Sequence, residues 1–361
     1  MRVVLLVLLA LLAGGVAAQS TKTTFGEIAG AEYRIDVPEK WNRELIVYFH
    51  GYSIGDMRYN RERPLYEPLA RLVARGYAVA QSGYSRSGWA VEQATADSER
   101  LRRFFIKQHG TPTRTFAVGM SMGGLLTAHA VETQPKIYAG GLSLCGALAP
   151  ADTLTQHAFA LRAAFDAYFP DLLGPLVPVP ADYMPDQHAE ERVAVALRSN
   201  PKAAAALRSL QLGSTDENLP GVIAFVTYIV KELQQRSGGN PFDNRDQAYV
   251  GTGDDEVLNA RVKRYAGDAK AARYLVRWIT LSGKLERPLL ALHTLADPLV
   301  PISVPNDYAA RARTAGSSER FVQQWVAREG HCTMSADEVA GAFDDLVTWL
   351  GGTRPASGLR H

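Results

Sequence analysis

The sequence predicts an α/β protein, a mostly parallel sheet flanked by helices, with a helical insertion before its last two strands. Three observations point there. Through residue 145, short apolar runs of strand length alternate with amphipathic stretches of helix length, the rhythm of a parallel sheet. From Gly146 to Glu286 the rhythm stops, and helix-like stretches broken by Pro and Gly contain no clear strand. From Leu289 onward strand and helix alternate again.

Tyr33, Ile35 and Val37 alternate with polar neighbours as one face of a strand, and Leu45-Ile46-Val47-Tyr48-Phe49 is a continuous apolar run ending at His50-Gly51. Pro64 to Arg75 places Leu65, Leu69, Leu72 and Val73 at helical spacing with Gly76 as the stop, and Tyr77 to Ala80 gives the next strand. Ala90 to His109, closed by Gly110, repeats the device. Thr115 to Val118 is then a strand, Leu125 to Glu132 a helix and Ala139 to Leu144 a strand. The insertion offers helical stretches at Phe159 to Tyr168, Ala189 to Leu197, Val222 to Leu233 and Asp255 to Tyr265. Leu289 to Leu292 and Phe321 to Val326 read as strands on either side of a helix, Tyr308 to Ala315. Ala336 to Leu350 is a helix opened by the capping box of Ser335 and Glu338, and the tail after Gly351 is expected to fray. The expected units are residues 1–18, a core of 19–145 with 287–361, and the insertion 146–286.

The chain has 361 residues, a net charge of +2 and two cysteines. That near-balance, with no Lys/Arg block, lacks the electrostatic footprint of a nucleic-acid partner, and two cysteines exclude a disulfide-built scaffold. At the N-terminus, Arg2, the apolar run Val3 to Leu12 and the small residues Val16-Ala17-Ala18 form the pattern of a secretory signal, with cleavage expected after Ala18. The run is short for a span of about 30 Å of hydrocarbon, so no stable membrane insertion is expected, and the mature chain would work in the periplasm or outside the cell. The sequence carries no signal of oligomeric state.

Gly119-Met120-Ser121-Met122-Gly123 lies directly after a strand and before a helix. A serine on such a turn projects its hydroxyl above the sheet, and flanking glycines relieve the crowding. The hydroxyl needs a base, and the base an orienting carboxylate. Asp297 follows the strand at Leu289 to Leu292, and His331 follows the strand at Phe321 to Val326, so both stand at carboxyl ends of strands where open sheets place their sites. His109, His129, His157 and His188 fall in helical or cap patterns and read as surface or packing residues; His293 packs beside the acid loop, and His361 is terminal.

With Ser121, the loop Asp297-Pro298-Leu299-Val300-Pro301 and Gly330-His331-Cys332 in this order, the chain resembles the α/β-hydrolase superfamily over nearly everything after the signal. More narrowly it is similar to secreted bacterial esterases near the feruloyl esterase and tannase group, which carry a cysteine immediately before the nucleophile where this chain has Met120. The resemblance implies a serine carboxylic ester hydrolase with Ser121 as nucleophile, His331 as base and Asp297 as its orienting acid. It also makes His50-Gly51-Tyr52 the oxyanion loop, with the backbone N–H groups of Tyr52 and Met122 as donors and His50 as a brace. The expected substrate is a small-molecule or polymeric ester.

Cys145 and Cys332 both fall at strand ends on the catalytic side and are either a bridge or two free thiols. Tyr84 and Trp89 either line a pocket or pack a loop onto the following helix. In the insertion, Leu172, Leu173, Leu176, Tyr183, Met184, Phe225 and Tyr228 are either a pocket wall for an apolar or aromatic group or the insertion's own core. The acidic residues Asp243, Asp246, Asp254, Asp255 and Glu256 lack a regular ligand spacing, so no metal and no cofactor is expected. Two other functions share the scaffold: a peptidase similar to prolyl oligopeptidases, though without a preceding propeller, and a binding protein that has lost turnover.

Overall fold

The computed structural model describes residues 20–360. The expected signal and its cleavage point after Ala18 lie outside the described residues, as does His361. In chain order the first half runs β1 (Thr21–Ile28), β2 (Ala31–Pro38), β3 (Glu44–Phe49), α1 (Glu67–Ala74), β4 (Ala78–Ser82), α2 (Val91–His109), β5 (Arg114–Met120), α3 (Met122–Thr133) and β6 (Gly140–Leu144). The insertion holds α4 (Ala151–Tyr168), α5 (Gln187–Ser199), α6 (Pro201–Leu210), α7 (Leu219–Ser237), α8 (Asp255–Arg261) and α9 (Ala269–Ile279). Then follow β7 (Leu289–Ala296), α10 (Ser303–Thr314), β8 (Phe321–Glu329), α11 (Ala336–Leu350) and β9 (Gly358–Leu359).

The strands form one sheet in the order β1-β2-β4-β3-β5-β6-β7-β8-β9. The β1–β2 and β2–β4 pairs are antiparallel and all others parallel, the mostly parallel sheet expected from the sequence. Alternation along each strand divides the core in two. Leu45, Val47 and Phe49 of β3 pack with α2, α3 and the insertion, whereas Ile46 and Tyr48 pack with α1 and α11. Because both faces are covered, β3 and the middles of β4 to β7 read as largely apolar runs in the sequence. The insertion has no separate core: Phe159, Ile223, Val230 and Leu275 join the same cluster as the α2/α3 face of the sheet.

Several expectations are corrected. The tail after Gly351 does not fray, since Gly358–Leu359 pairs with Gln324–Trp325 and the Arg360 guanidinium binds Asp345 and Gln324, so β7 and β8 are followed by a ninth, edge strand. The helix expected from Asp255 to Tyr265 ends at Arg261, because the Arg264 guanidinium and the Tyr265 amide are held by Asn244 and its neighbours. The capping box at Ser335 and Glu338 forms as read. No helix among the described residues is long and apolar enough to cross a membrane.

Candidate active site

Three strand ends meet at the carboxyl edge of the sheet. Ser121 stands one residue beyond β5 with φ 56° and ψ −121°, a backbone conformation that L-residues rarely adopt and that a sharp strand-to-helix turn imposes. The turn requires Gly123, because a Cβ there would collide with the Phe49 carbonyl. It aims the Ser121 hydroxyl at His331 Nε2, 2.8 Å away. On the other side of the ring, Nδ1–H donates to Asp297 Oδ2 at 2.7 Å. Asp297 is buried, and its second oxygen accepts the backbone N–H groups of Leu299 and Val300, both at 2.9 Å. The acid is thereby fixed by two backbone donors, and it fixes the imidazole tautomer.

The histidine loop is tied down independently of its ring. The Thr294 hydroxyl donates to the Gly330 carbonyl at 2.8 Å, and the Gly330 amide donates to Ala296. Cys332, next to His331, is joined by a disulfide to Cys145 at the end of β6, with Cα atoms 5.4 Å apart. Of the two cysteine readings, the structure therefore holds the bridge. His293 sits inside β7, buried, with Nε2–H donating to the Val300 carbonyl at 2.7 Å; burial lowers its pKa.

Gly51 approaches Ser121 so closely that a Cβ there would stand 3.2 Å from Ser121 Cβ. Among the described residues, neither the Tyr52 nor the Met122 backbone N–H has a protein acceptor, and Met122 opens α3, where an amide has no intrahelical partner. These donors flank the serine. His50 braces them from behind: its Nδ1–H donates to the Gly51 carbonyl at 2.6 Å, and its ring stacks on Tyr84 at 3.9 Å. Tyr84 is thus a support and not a cavity wall, because its ring lies under His50 and its hydroxyl donates to the His50 carbonyl at 3.2 Å.

Burial holds the His50 pKa down at about 4 and lowers those of His293, His157 and His129 as well. In the unfolded chain each returns to its ordinary value near 6.5. Between roughly pH 6.5 and 4 the unfolded state therefore binds more protons than the folded one, and stability falls as pH falls. Thermal denaturation followed from pH 7.5 to 4.5 should show a midpoint that drops progressively below about pH 6.5. A flat midpoint across that range would contradict the buried neutral imidazoles.

Ser121 and His331 open into a cavity of about 1020 Å³. Leu154, Ala158, Phe225, Val226 and Ile229 of the insertion form one wall; Tyr48, Tyr59, Leu65 and Tyr66, with Arg34 and Arg63, form another. Trp89 lines it, as does His157, which the helical pattern alone assigned to surface or packing. His157 Nε2–H donates to Gln211 Oε1 at 2.8 Å, while the Gln211 amide donates to the Pro298 carbonyl at 2.6 Å, so this pair connects α4 to the acid loop. Of the insertion's apolar residues, Phe225 lines the cavity, Leu173 and Leu176 are core, and Met184 is exposed.

The acidic residues disperse: Asp243 pairs with Arg245, Asp254 with Lys202, and Asp255 accepts the amides of Gly251 and Thr252. Asp246 and Glu256 do not join them in any group of metal-ligand geometry among the described residues.

No protein-family model and no curated protein matches the sequence. Among solved structures it is similar to the Pyrococcus horikoshii acylaminoacyl peptidase, at 11% identity over 93% of this chain with a TM-score of 0.45, and it spans 42% of that chain. It is similar to a Pyrococcus furiosus esterase at 11% identity, 92% and 91% coverage of the two chains and a TM-score of 0.48. A third is feruloyl esterase B from Aspergillus oryzae, at 12% identity, 91% and 80% coverage and a TM-score of 0.49.

Proposed function

We propose that the protein is a serine hydrolase cleaving carboxylic esters through an acyl-enzyme. The observation that carries the reading is the continuous hydrogen-bond chain from Ser121 Oγ through His331 to buried Asp297, at the floor of a largely apolar cavity. His331 Nε2 takes the Ser121 proton as Oγ bonds to the ester carbonyl carbon, and the carbonyl oxygen becomes an oxyanion facing the Tyr52 and Met122 N–H groups. The ester C–O bond then breaks, Nε2 returns its proton to the leaving alcohol, and Ser121 is left acylated. Water repeats the sequence, releasing the acid and restoring the serine hydroxyl. Asp297 stays a carboxylate throughout and stabilises the imidazolium that forms.

The segment 146–286 is then a lid that supplies the apolar wall for the acyl or alcohol group. A persistent disulfide fits an oxidising compartment, in keeping with the signal read in residues 1–18. A panel of p-nitrophenyl esters of increasing acyl length, run beside peptide p-nitroanilides, tests the reading. Initial rates should favour the esters by about two orders of magnitude or more in kcat/KM. Anilide turnover equal to or above the esters would assign the site to peptide bonds instead.

A further inference from the structure

Tyr52 is held at both ends. Its backbone follows Gly51 beside the nucleophile, and its side chain reaches away from the sheet into the insertion, where α7 presents Phe225, Tyr228 and Glu232 at positions i, i+3 and i+7, one face of the helix. The Tyr52 ring meets Phe225 edge-on at 5.5 Å and Tyr228 edge-on at 6.4 Å. Its phenol donates to Glu232 Oε2. Burial, reinforced by that carboxylate, raises the phenol's pKa, so it remains a donor.

The other Glu232 oxygen is equally committed. Oε1 accepts the Trp89 backbone N–H at 2.8 Å and the Arg236 Nε–H at 2.6 Å, and Arg236 also reaches the Ser87 carbonyl. The chain at Gly88 passes so close to this carboxylate that any side chain would collide with it, at a φ of +80° that favours glycine. The Gly88 amide in turn donates to the Ser53 carbonyl at 2.7 Å, next to Tyr52. One nearly buried carboxylate of the insertion therefore ties together the oxyanion loop and the loop after β4, two core segments that also meet through the Gly88–Ser53 bond and the Tyr84–His50 contacts. An acid of this kind, 9% exposed and spending both oxygens on the core, is more than is needed to seat a helix whose apolar face already packs on the sheet.

We propose that Glu232 is a positioning residue for the oxyanion hole: through the Tyr52 phenol it sets where the Tyr52 backbone N–H points, so that the insertion completes the catalytic machinery as well as walling the cavity. The inference rests on Ser121 as nucleophile and the Tyr52 N–H as an oxyanion donor. An oxyanion donor acts on the tetrahedral species and not on the bound ester, so displacing it lowers kcat and leaves KM nearly unchanged.

The test uses Glu232→Gln, Tyr52→Phe and the double variant, assayed with a short p-nitrophenyl ester and with a fluorophosphonate whose phosphoryl oxygen occupies the same hole as it labels Ser121. Each single variant should lose about tenfold in kcat with KM within about twofold, and should label slower by the same factor as the kcat loss. The double variant should lose little more than either single one, because both changes act on the same contact: glutamine cannot accept from Tyr52 and from the Trp89 and Arg236 donors with both of its ends. Wild-type kcat and labelling rate in both single variants would overturn the proposal and leave Glu232 a packing residue. If Glu232→Gln does not fold, Tyr52→Phe decides alone, since it removes one hydroxyl oxygen and keeps the backbone donor. Failure of the wild-type protein to label would overturn the nucleophile assignment first, and this inference with it, an outcome read before any variant is made.

Discussion

Ser121→Ala should abolish fluorophosphonate labelling and lower ester turnover by about four to six orders of magnitude, while the protein stays folded. The hydroxyl's protein partner is His331 Nε2, so its removal leaves no buried donor or acceptor in the core without a mate, and alanine inherits the same backbone turn. His331→Ala should cost nearly as much, because the nucleophile is inert without its base. Asp297→Asn should cost about four orders of magnitude through the wrong imidazole tautomer, and it also weakens the acceptor held by the Leu299 and Val300 amides. The three losses should not add, since each disables the same proton transfer. Rates in Ser121→Ala within tenfold of the wild type, in protein purified free of other esterases, would remove the mechanism.

These three residues were legible because their positions depend on local signals. A serine between glycines at a strand-to-helix junction, and an acid and a histidine at the ends of later strands, need only the parallel sheet to bring them together, and the double-sided burial of β3, β5 and β7 makes that sheet visible as apolar runs. Edge strands lack that signal. Thr21–Ile28 is mostly half-exposed and Gly358–Leu359 is two residues long, so each is specified by its partner strand and not by its own pattern. Ala269–Ile279 is a different case: Asp268 caps it, and Ala271, Leu275 and Ile279 are its buried stripe, a readable helix signal hidden by the Gly and Pro around it. Tyr84 follows a strand on the catalytic edge as a wall residue would, but which way a ring turns there depends on His50, 34 residues earlier. His157, Gln211 and Glu232 were beyond reach for the same reason. Their partners, Pro298, Tyr52 and Trp89, come from the core, and nothing local tells how a helical insertion of this length folds back over it.

Replacing both cysteines with serine should lower stability and turnover together. The bridge closes a loop of 187 residues, for which loss of chain entropy in the unfolded state sets a ceiling of about 5 kcal/mol. The catalytic consequence is separate. Cys332 adjoins the base, and its sulfur lies 3.5 Å from His331 Nε2, so releasing it lets the ring drift from the Ser121 hydroxyl and from Asp297. The loop keeps two other anchors, the Thr294 hydroxyl on Gly330 and the Gly330 amide on Ala296, so turnover should fall by about ten- to a hundredfold and not vanish. Far-UV circular dichroism should hardly change, because the bridge joins the end of β6 to the histidine loop and no helix depends on it. The serine pair is preferable to a single Cys145→Ser, which leaves a thiol beside the base. Mass measurement after alkylation under denaturing conditions without reductant should find neither cysteine modified in the wild-type protein. Two modified thiols in protein taken from an oxidising compartment would mean that the bridge does not form, and a serine pair with undiminished turnover would mean that it forms but does not hold the base.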